Sequence, residues 1–191
     1  MLTADEIREN LAGAWLVMNG DSDGLERMDT TIEGFWRSFG AIVLLIPIFA
    51  LSVLGDRQLA TDLDLADKVR PVPVEALILL VEWMLFPALM ALFARPAGYT
   101  SRYVPFIVAR NWSSVVTSAF FAIPLLAYLG GIVSVQMLFL FVYIILGAVG
   151  YFSYRIARTA LQASPGLAAG IVAAEFGLSL MIDDLVRALT A

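Results

Sequence analysis

The chain has 191 residues, of which 60% are hydrophobic and only 15% are charged, and its mean hydropathy is +0.84. So few polar side chains cannot cover a soluble globule, which predicts a protein embedded in a bilayer. The net charge of -5 and the lack of a basic patch argue against a nucleic-acid partner. The sequence has no Cys and no His, which excludes disulfides, thiolate or imidazole metal sites and the commonest catalytic side chains near neutral pH.

An amphipathic helix is predicted at the amino terminus. Thr3 and Glu6 have the spacing of a capping box, and apolar residues recur at helical spacing from Ile7 to Met18. The acidic start, without a basic region and an apolar core, is not that of a cleavable signal peptide. Two placements stay open, on the membrane surface or packed under a transmembrane bundle, because the polar face lacks the cationic excess of a lipid-binding helix.

The stretch NGDSDG follows, from Asn19 to Gly24. Its Asn, Asp and Gly residues match the front of an EF-hand loop, but the twelfth position is Thr30, where such a loop has a bidentate Glu. A polar turn is therefore the preferred interpretation, and a weak cation site is the alternative.

Hydropathy predicts five membrane-spanning helices, each close to the ~20 residues that cross a hydrocarbon core of about 30 Å. The predicted spans cover residues 37–54, 73–94, 104–129, 131–153 and 166–183. The predicted fold is all-α, with an amphipathic segment in residues 1–36 and a transmembrane helix bundle in residues 37–191. Four spans and one partly embedded helix is the alternative, because the last segment is rich in Ala and Gly.

Two connections between the spans carry local signals. Gly130 and Gly131 leave almost no room between the third and fourth spans, which predicts an antiparallel hairpin. Residues 55–72 alternate acids with leucines, and a solvated connector is preferred there over a short surface helix.

The basic residues predict the orientation of the bundle. With five spans, the amino terminus and the connections after the second and fourth spans share one face, which carries most of the arginines. That face has Arg8, Arg27, Arg37, Arg95, Arg102, Arg110, Arg155 and Arg158, and the opposite face has Arg57, Lys68, Arg70 and Arg187. The positive-inside rule therefore predicts a cytoplasmic amino terminus and a periplasmic carboxyl terminus. Eleven Arg against one Lys is typical of a GC-rich genome, so the predicted location is a bacterial inner membrane.

Two acidic residues fall deep within the predicted spans. Glu82 lies about 10 Å beyond Glu75 along a helix that rises ~1.5 Å per residue, and Glu175 is similarly deep in the fifth span. An ionised acid that faces lipid is costly, so both side chains are expected to face the bundle interior or to be protonated.

The third span supplies partners for these acids. Its sequence ARNWSSVVTS places a polar stripe at helical spacing, and the stripe is expected to face inward. The stripe consists of Arg110, Asn111, Ser114, Thr117 and Ser118. We predict that Arg110 pairs with Glu175, and that Glu82 donates a proton to Ser118 or to a backbone carbonyl left free by a proline.

Three prolines, Pro47, Pro87 and Pro124, interrupt the predicted spans. Pro87 leaves the carbonyl oxygen of Trp83 without its helical N–H partner. Kinked helices around buried acids suit a proton or cation path, but they equally suit an inert bundle whose ion pairs fix helix register. The structural interpretation is preferred.

The fifth span also carries small residues at four-residue spacing, Gly166, Gly170 and Ala174, which permit close approach of another helix. Packing within the chain against Gly147 and Tyr151 of the fourth span is preferred over dimerisation.

An enzyme is not predicted. The sequence has no P-loop, and membrane hydrolases and zinc enzymes would use His or Cys. Asp183 and Asp184 are interpreted as the polar end of the last helix. No cofactor and no metal site is predicted.

The layout of five spans, with the LGG hairpin and the stretch GYTSRYVPFIVARNW at the third span, resembles small bacterial membrane proteins of the Yip domain family. Gly98, Tyr99 and Thr100 are similar to the family's Gly-Tyr-Ser element and Pro105 follows it, whereas the family's earlier Asp-Leu-Tyr-Gly element is missing. The resemblance implies a membrane-organising or partner-binding role without catalysis.

The leading hypothesis is an integral inner-membrane protein with an interaction, accessory or membrane-organising role. Its expected partners are the lipid bilayer and either another membrane protein or a second copy of the chain. The alternative is a small proton-linked transporter or channel that uses Glu82 and Glu175.

Overall fold

A computed structural model describes residues 2–190, and of Thr190 only the backbone. This part of the chain has no β-strand, and 84% of its residues lie in α-helices or short 3-10 helices. The helices are α1 (Ala4–Met18), α2 (Ile32–Ser38), α3 (Ile42–Asp62), α4 (Val72–Ala94), α5 (Thr100–Leu129), α6 (Val135–Thr159) and α7 (Pro165–Thr190). The outer ends of the two predicted segments, Met1 and Ala191, lie outside the described residues.

Five helical segments between residues 2 and 190 are long and apolar enough to cross a membrane. They are Ile32–Asp62, which joins α2 to α3 through the 3-10 turn Phe39–Ala41, and Val72–Ala94, Thr100–Leu129, Val135–Thr159 and Pro165–Leu189. The all-α bundle and the number of spans are thus confirmed, and the five apolar helices indicate a membrane protein. The helices extend beyond most of the predicted spans, because hydropathy detects the apolar stretch and not the polar turns that continue it.

The amino-terminal helix α1 packs against one end of the bundle. The capping box is present, since Thr3 Oγ1 accepts from the Glu6 N–H and a Glu6 carboxylate oxygen accepts from the Thr3 N–H. Ala14, Val17 and Met18 are completely buried, and α1 contacts α5 and α6. Of the two placements left open by the sequence, the structure therefore has the packed one.

The stretch NGDSDG forms the turn after α1, in residues 19–21, and then the start of the 3-10 helix Ser22–Arg27. Asn19 ends α1, and Gly20 follows with a φ of +82°, a conformation that favours glycine. The Asp21 carboxylate accepts from the Asp23 N–H and caps the 3-10 helix. The preferred polar turn is confirmed.

The two connections differ in how well the sequence predicted them. Only residues 130–134 separate α5 from α6, and Gly131 has a φ of +70°, so the tight hairpin is confirmed. Residues 55–72 form neither a wholly solvated connector nor a separate surface helix. Helix α3 continues to Asp62, and between it and α4 there is only the short 3-10 turn Ala66–Lys68.

Polar contacts tie the helices together at both ends of the bundle. At the end that holds α1, called the α1 end below, the Glu6 carboxylate pairs with Arg37. At the opposite end Asp183 accepts from Arg70 of the α3–α4 connection at 2.6 Å and from Arg187 at 2.5 Å. Asp183 is therefore a junction between two segments. It lies within α7, which continues to Thr190, so the interpretation of Asp183 and Asp184 as the end of the helix is wrong.

Candidate functional site: a polar cleft between four helices

A cleft of about 230 Å³ lies between α4, α5, α6 and α7, within the membrane-spanning segments. Its polar lining contains the two deep acids, one arginine and five hydroxyl side chains. These residues are Glu82, Arg110, Ser113, Ser114, Thr117, Ser153, Glu175 and Ser179. The rest of the wall is apolar, including Phe86 and Phe176.

The ion pair predicted between Arg110 and Glu175 is present. Both Nε and Nη2 of Arg110 lie 2.8 Å from Glu175 Oε1. The guanidinium carbon is also 4.5 Å from the centre of the Phe86 ring, a cation–π arrangement that strengthens when water is excluded. The side chains are only 15% and 25% exposed, so this contact joins α5 to α7 inside the bundle.

Glu82 has a different partner from the one predicted. Ser179 of α7 donates its hydroxyl hydrogen to Glu82 Oε1 at 2.6 Å, so the predicted contact with Ser118 or a free backbone carbonyl is wrong. The reason is that α4 packs against α7 as well as α5, and Glu82 faces α7. Within the described chain, no Arg or Lys nitrogen lies within 4.0 Å of the Glu82 carboxylate.

The polar stripe of α5 divides between two environments. Ser114 and Thr117 line the cleft, as predicted, and each hydroxyl also donates to a carbonyl of its own helix. Asn111 is completely buried and donates to Ser38 Oγ at 3.0 Å, away from the cleft, and Ser118 does not line the cleft. Arg110, Asn111, Ser114 and Thr117 thus face the interior of the bundle as predicted, although Asn111 does so outside the cleft, and Ser118 is half-buried.

Sequence reasoning missed Ser113, Ser153 and Ser179. Ser113 had a usable signal, because positions three, four and seven beyond Arg110 share its helix face, and these are Ser113, Ser114 and Thr117. The hydroxyls of α6 and α7 had none, since a single serine in an apolar helix does not indicate which way it faces.

Two buried polar atoms at the cleft have no hydrogen-bond partner among residues 2–190. They are Arg110 Nη1 and Ser113 Oγ, and Ser113 is only 2% exposed. Two carboxylates and one guanidinium give the cleft a formal charge of -1. Such a lining can hold water or a small polar solute, and it places one acid, Glu82, beside hydroxyls instead of a cation.

The predicted contact between the small residues of the fifth span and the fourth span is absent. No atom lies within 4 Å of where a Cβ would stand at Gly166, Gly170 or Gly147, and Ala174 is exposed like the first two. Packing between α6 and α7 uses Phe176, which lies against Gly150. The buried face of α7 instead contains Ala168, Ile171 and Ile182, so the preferred intramolecular contact is wrong.

A comparison with known proteins finds no matching family model, no similar curated protein and no similar solved structure. The resemblance to the Yip domain family therefore stays a prediction. In the structure, its Gly98–Tyr99 element forms the turn between α4 and α5, where Gly98 has a φ of +77° and Tyr99 is buried. Burial raises the pKa of Tyr99 above its ordinary value of 10.0.

Proposed function

We propose that this chain is a non-catalytic interaction, accessory or membrane-organising protein of a bacterial inner membrane, with its amino terminus in the cytoplasm. The observation that carries the proposal is the open face of α7 formed by Gly166, Gly170 and Ala174, called the small-residue face below. Lipid chains pack equally well against large side chains, whereas a second helix approaches closely only where the side chains are small.

The polar contacts of the cleft support this role by fixing how α7 is turned. Glu175 holds α7 to α5 through Arg110, and Ser179 holds it to α4 through Glu82. Both contacts lie on the side of α7 opposite to its small-residue face. The acids thus act as internal fasteners that leave the small-residue face available to another transmembrane helix.

Cross-linking from single cysteines tests the proposal, since the chain has no Cys of its own. A photoreactive reagent on Ala174→Cys in native membranes is expected to capture a protein, and oxidation without the reagent reveals a second copy as a disulfide-linked dimer. Leu92→Cys is the matched control, because Leu92 is 72% exposed on a different apolar helix, α4. Equal labelling of lipid alone from both positions would contradict the proposal.

The second candidate function is proton-linked transport, which the cleft and the unpaired acid Glu82 favour. Proton or solute flux in liposomes is measured for the wild type, Glu82→Gln and Glu175→Gln, with the exposed acid variant Glu26→Gln as control. The interaction proposal expects no flux in any of them. Flux in the wild type and the control that is lost in the two cleft variants would replace it with a transporter.

A further inference from the structure

We propose that a second polar pocket, at the α1 end of the bundle, binds the phosphate of an anionic lipid headgroup. The pocket has a volume of about 420 Å³ and lies where the turn after α1 meets the last turns of α6. The hydrogen-bond donors of its lining include Arg155, Arg158, Ser22 and Thr159. This inference is independent of the proposed function, because it concerns neither the polar cleft nor the small-residue face.

The pocket is positively charged although the chain as a whole is acidic. No carboxylate lines it, and neither arginine has a carboxylate oxygen within 4.0 Å in the described part of the chain. Its formal charge is therefore +2, against -5 for the whole sequence. Two guanidinium groups three residues apart on one helix face suit a doubly coordinated phosphate better than any neutral ligand.

The arginines are held in place by neutral groups that leave their charge uncompensated. Arg155 donates to Tyr151 Oη at 3.0 Å and to the Asn19 carbonyl, and Arg158 donates to the Ala163 carbonyl. A guanidinium has five N–H donors, so each side chain keeps donors for a ligand. Both carbonyl acceptors lie outside α6, so the arginines do not serve only to neutralise the carboxyl end of that helix.

The position of the pocket favours a lipid as the source of the phosphate. It lies at the end of a membrane-spanning helix, beside the aromatic residues Tyr151 and Tyr154, and aromatic belts mark the level of lipid headgroups. Basic pockets at helix ends bind anionic headgroups through the same charge attraction. Free phosphate offers the same chemistry, and the experiment separates the two sources.

The test uses the full chain in nanodiscs of phosphatidylcholine with a minor fraction of phosphatidylglycerol, followed by native mass spectrometry. The wild type is expected to retain phosphatidylglycerol in preference to phosphatidylcholine, and Arg155→Gln with Arg158→Gln to retain it at least about tenfold less. Arg95→Gln is the matched control, because Arg95 is exposed at the same end of the bundle and does not line the pocket. Equal retention by all three proteins would overturn the proposal.

A second measurement needs no variant. Phenylglyoxal modifies free guanidinium groups, and the extent of modification of each arginine is read from the peptides of the digested protein. Compared with nanodiscs of pure phosphatidylcholine, nanodiscs with phosphatidylglycerol are expected to protect Arg155 and Arg158, but not Arg95. Equal modification in both membranes contradicts the proposal even where the double variant fails to fold. Protection by inorganic phosphate, without retention of the lipid, would overturn the assignment to a headgroup.

Discussion

Arg110 directs two nitrogens, Nε and Nη2, at the same oxygen of Glu175, each at 2.8 Å. The pair is therefore not the parallel two-oxygen arrangement that arginine and a carboxylate commonly form. This geometry leaves Arg110 Nη1 buried and without a hydrogen-bond partner within residues 2–190. The guanidinium consequently both fastens α5 to α7 and presents an unused donor at the cleft.

Removing one member of this pair is expected to destabilise the bundle. Arg110→Ala leaves Glu175 as a charge without a partner in the cleft and removes the contact with Phe86, so we expect a loss of about 3 kcal/mol in unfolding free energy. Unfolding in detergent micelles measures it. The double variant, Arg110→Met with Glu175→Leu, is expected to regain much of the lost unfolding free energy. A double variant that lost as much as the two single replacements together would contradict a coupled pair.

Replacing Glu82 is expected to destabilise the bundle little or not at all. Glu82→Gln removes a carboxylate that has no cation within 4.0 Å in the described structure, and it keeps an oxygen that can accept from Ser179. Because an ionised acid among apolar helices is costly, unfolding free energy should stay within about 1 kcal/mol of the wild type or increase. The same unfolding assay measures it. If Glu82→Gln lost as much unfolding free energy as Arg110→Ala, Glu82 would have to be stabilised by a cation, which would contradict the prediction.

The buried contact between Ser38 and Asn111 is expected to hold α2 against α5. Asn111 Nδ2 donates to Ser38 Oγ at 3.0 Å, and both residues are at most 1% exposed. Ser38→Ala leaves that amide without an acceptor, which costs about 1–3 kcal/mol in chemical unfolding. Ser52→Ala is the control, because Ser52 donates only to Phe49 within its own helix, and similar losses for the two variants would contradict the prediction.

Two glycines have similar positive φ angles but different surroundings, so replacing each by alanine distinguishes the cost of backbone strain from the cost of crowding. Gly20 has a φ of +82° and lies under the Arg155 guanidinium. Gly131 has a φ of +70°, and a Cβ added there would have no other atom within 4 Å. Gly131→Ala is expected to cost about 1 kcal/mol from the backbone alone. Gly20→Ala should cost more, because Arg155 must also move. Thermal unfolding of both variants measures the difference, and equal costs would show that Arg155 yields freely.

Acid is expected to weaken the loop before α2 through Asp29. The Thr31 hydroxyl donates to Asp29 at 2.6 Å and the Thr31 N–H at 3.0 Å, and these bonds hold the pKa of Asp29 below its ordinary value of 3.8. A lowered pKa in the folded state stabilises the fold above the ordinary value and loses this effect as pH falls through the folded value. The stability advantage of the wild type over Asp29→Asn should therefore be present at pH 6 and shrink below pH 3.8. Denaturant midpoints at the two pH values measure it, and an advantage independent of pH would contradict the assignment.

The sequence predicted the contacts that depend on depth and failed at those that depend on helix rotation. The regular rise of a helix places Arg110 and Glu175 at similar depth, and both avoid lipid, so their pairing followed. The small-residue face of α7 could not be oriented in this way. In a membrane helix the lipid-facing and protein-facing sides are both apolar, so periodicity does not separate them.

The same limit explains the partner of Glu82. Its depth in α4 allowed a contact with α5 or with α7, and only the packing of α4 against both helices decides between Ser118 and Ser179. The lipid-headgroup pocket was likewise hidden in the sequence, because Arg155 and Arg158 are separated from Ser22 by more than a hundred residues and meet it only through the packing of α1.

The burial of α1 against α5 and α6 has a consequence for biogenesis. Its docking surface is made of segments that leave the ribosome after most of the chain has been synthesised. Although α1 is translated before α5 and α6, it reaches its final place only after them, and until then its apolar side has to be sheltered by the membrane surface or by a chaperone.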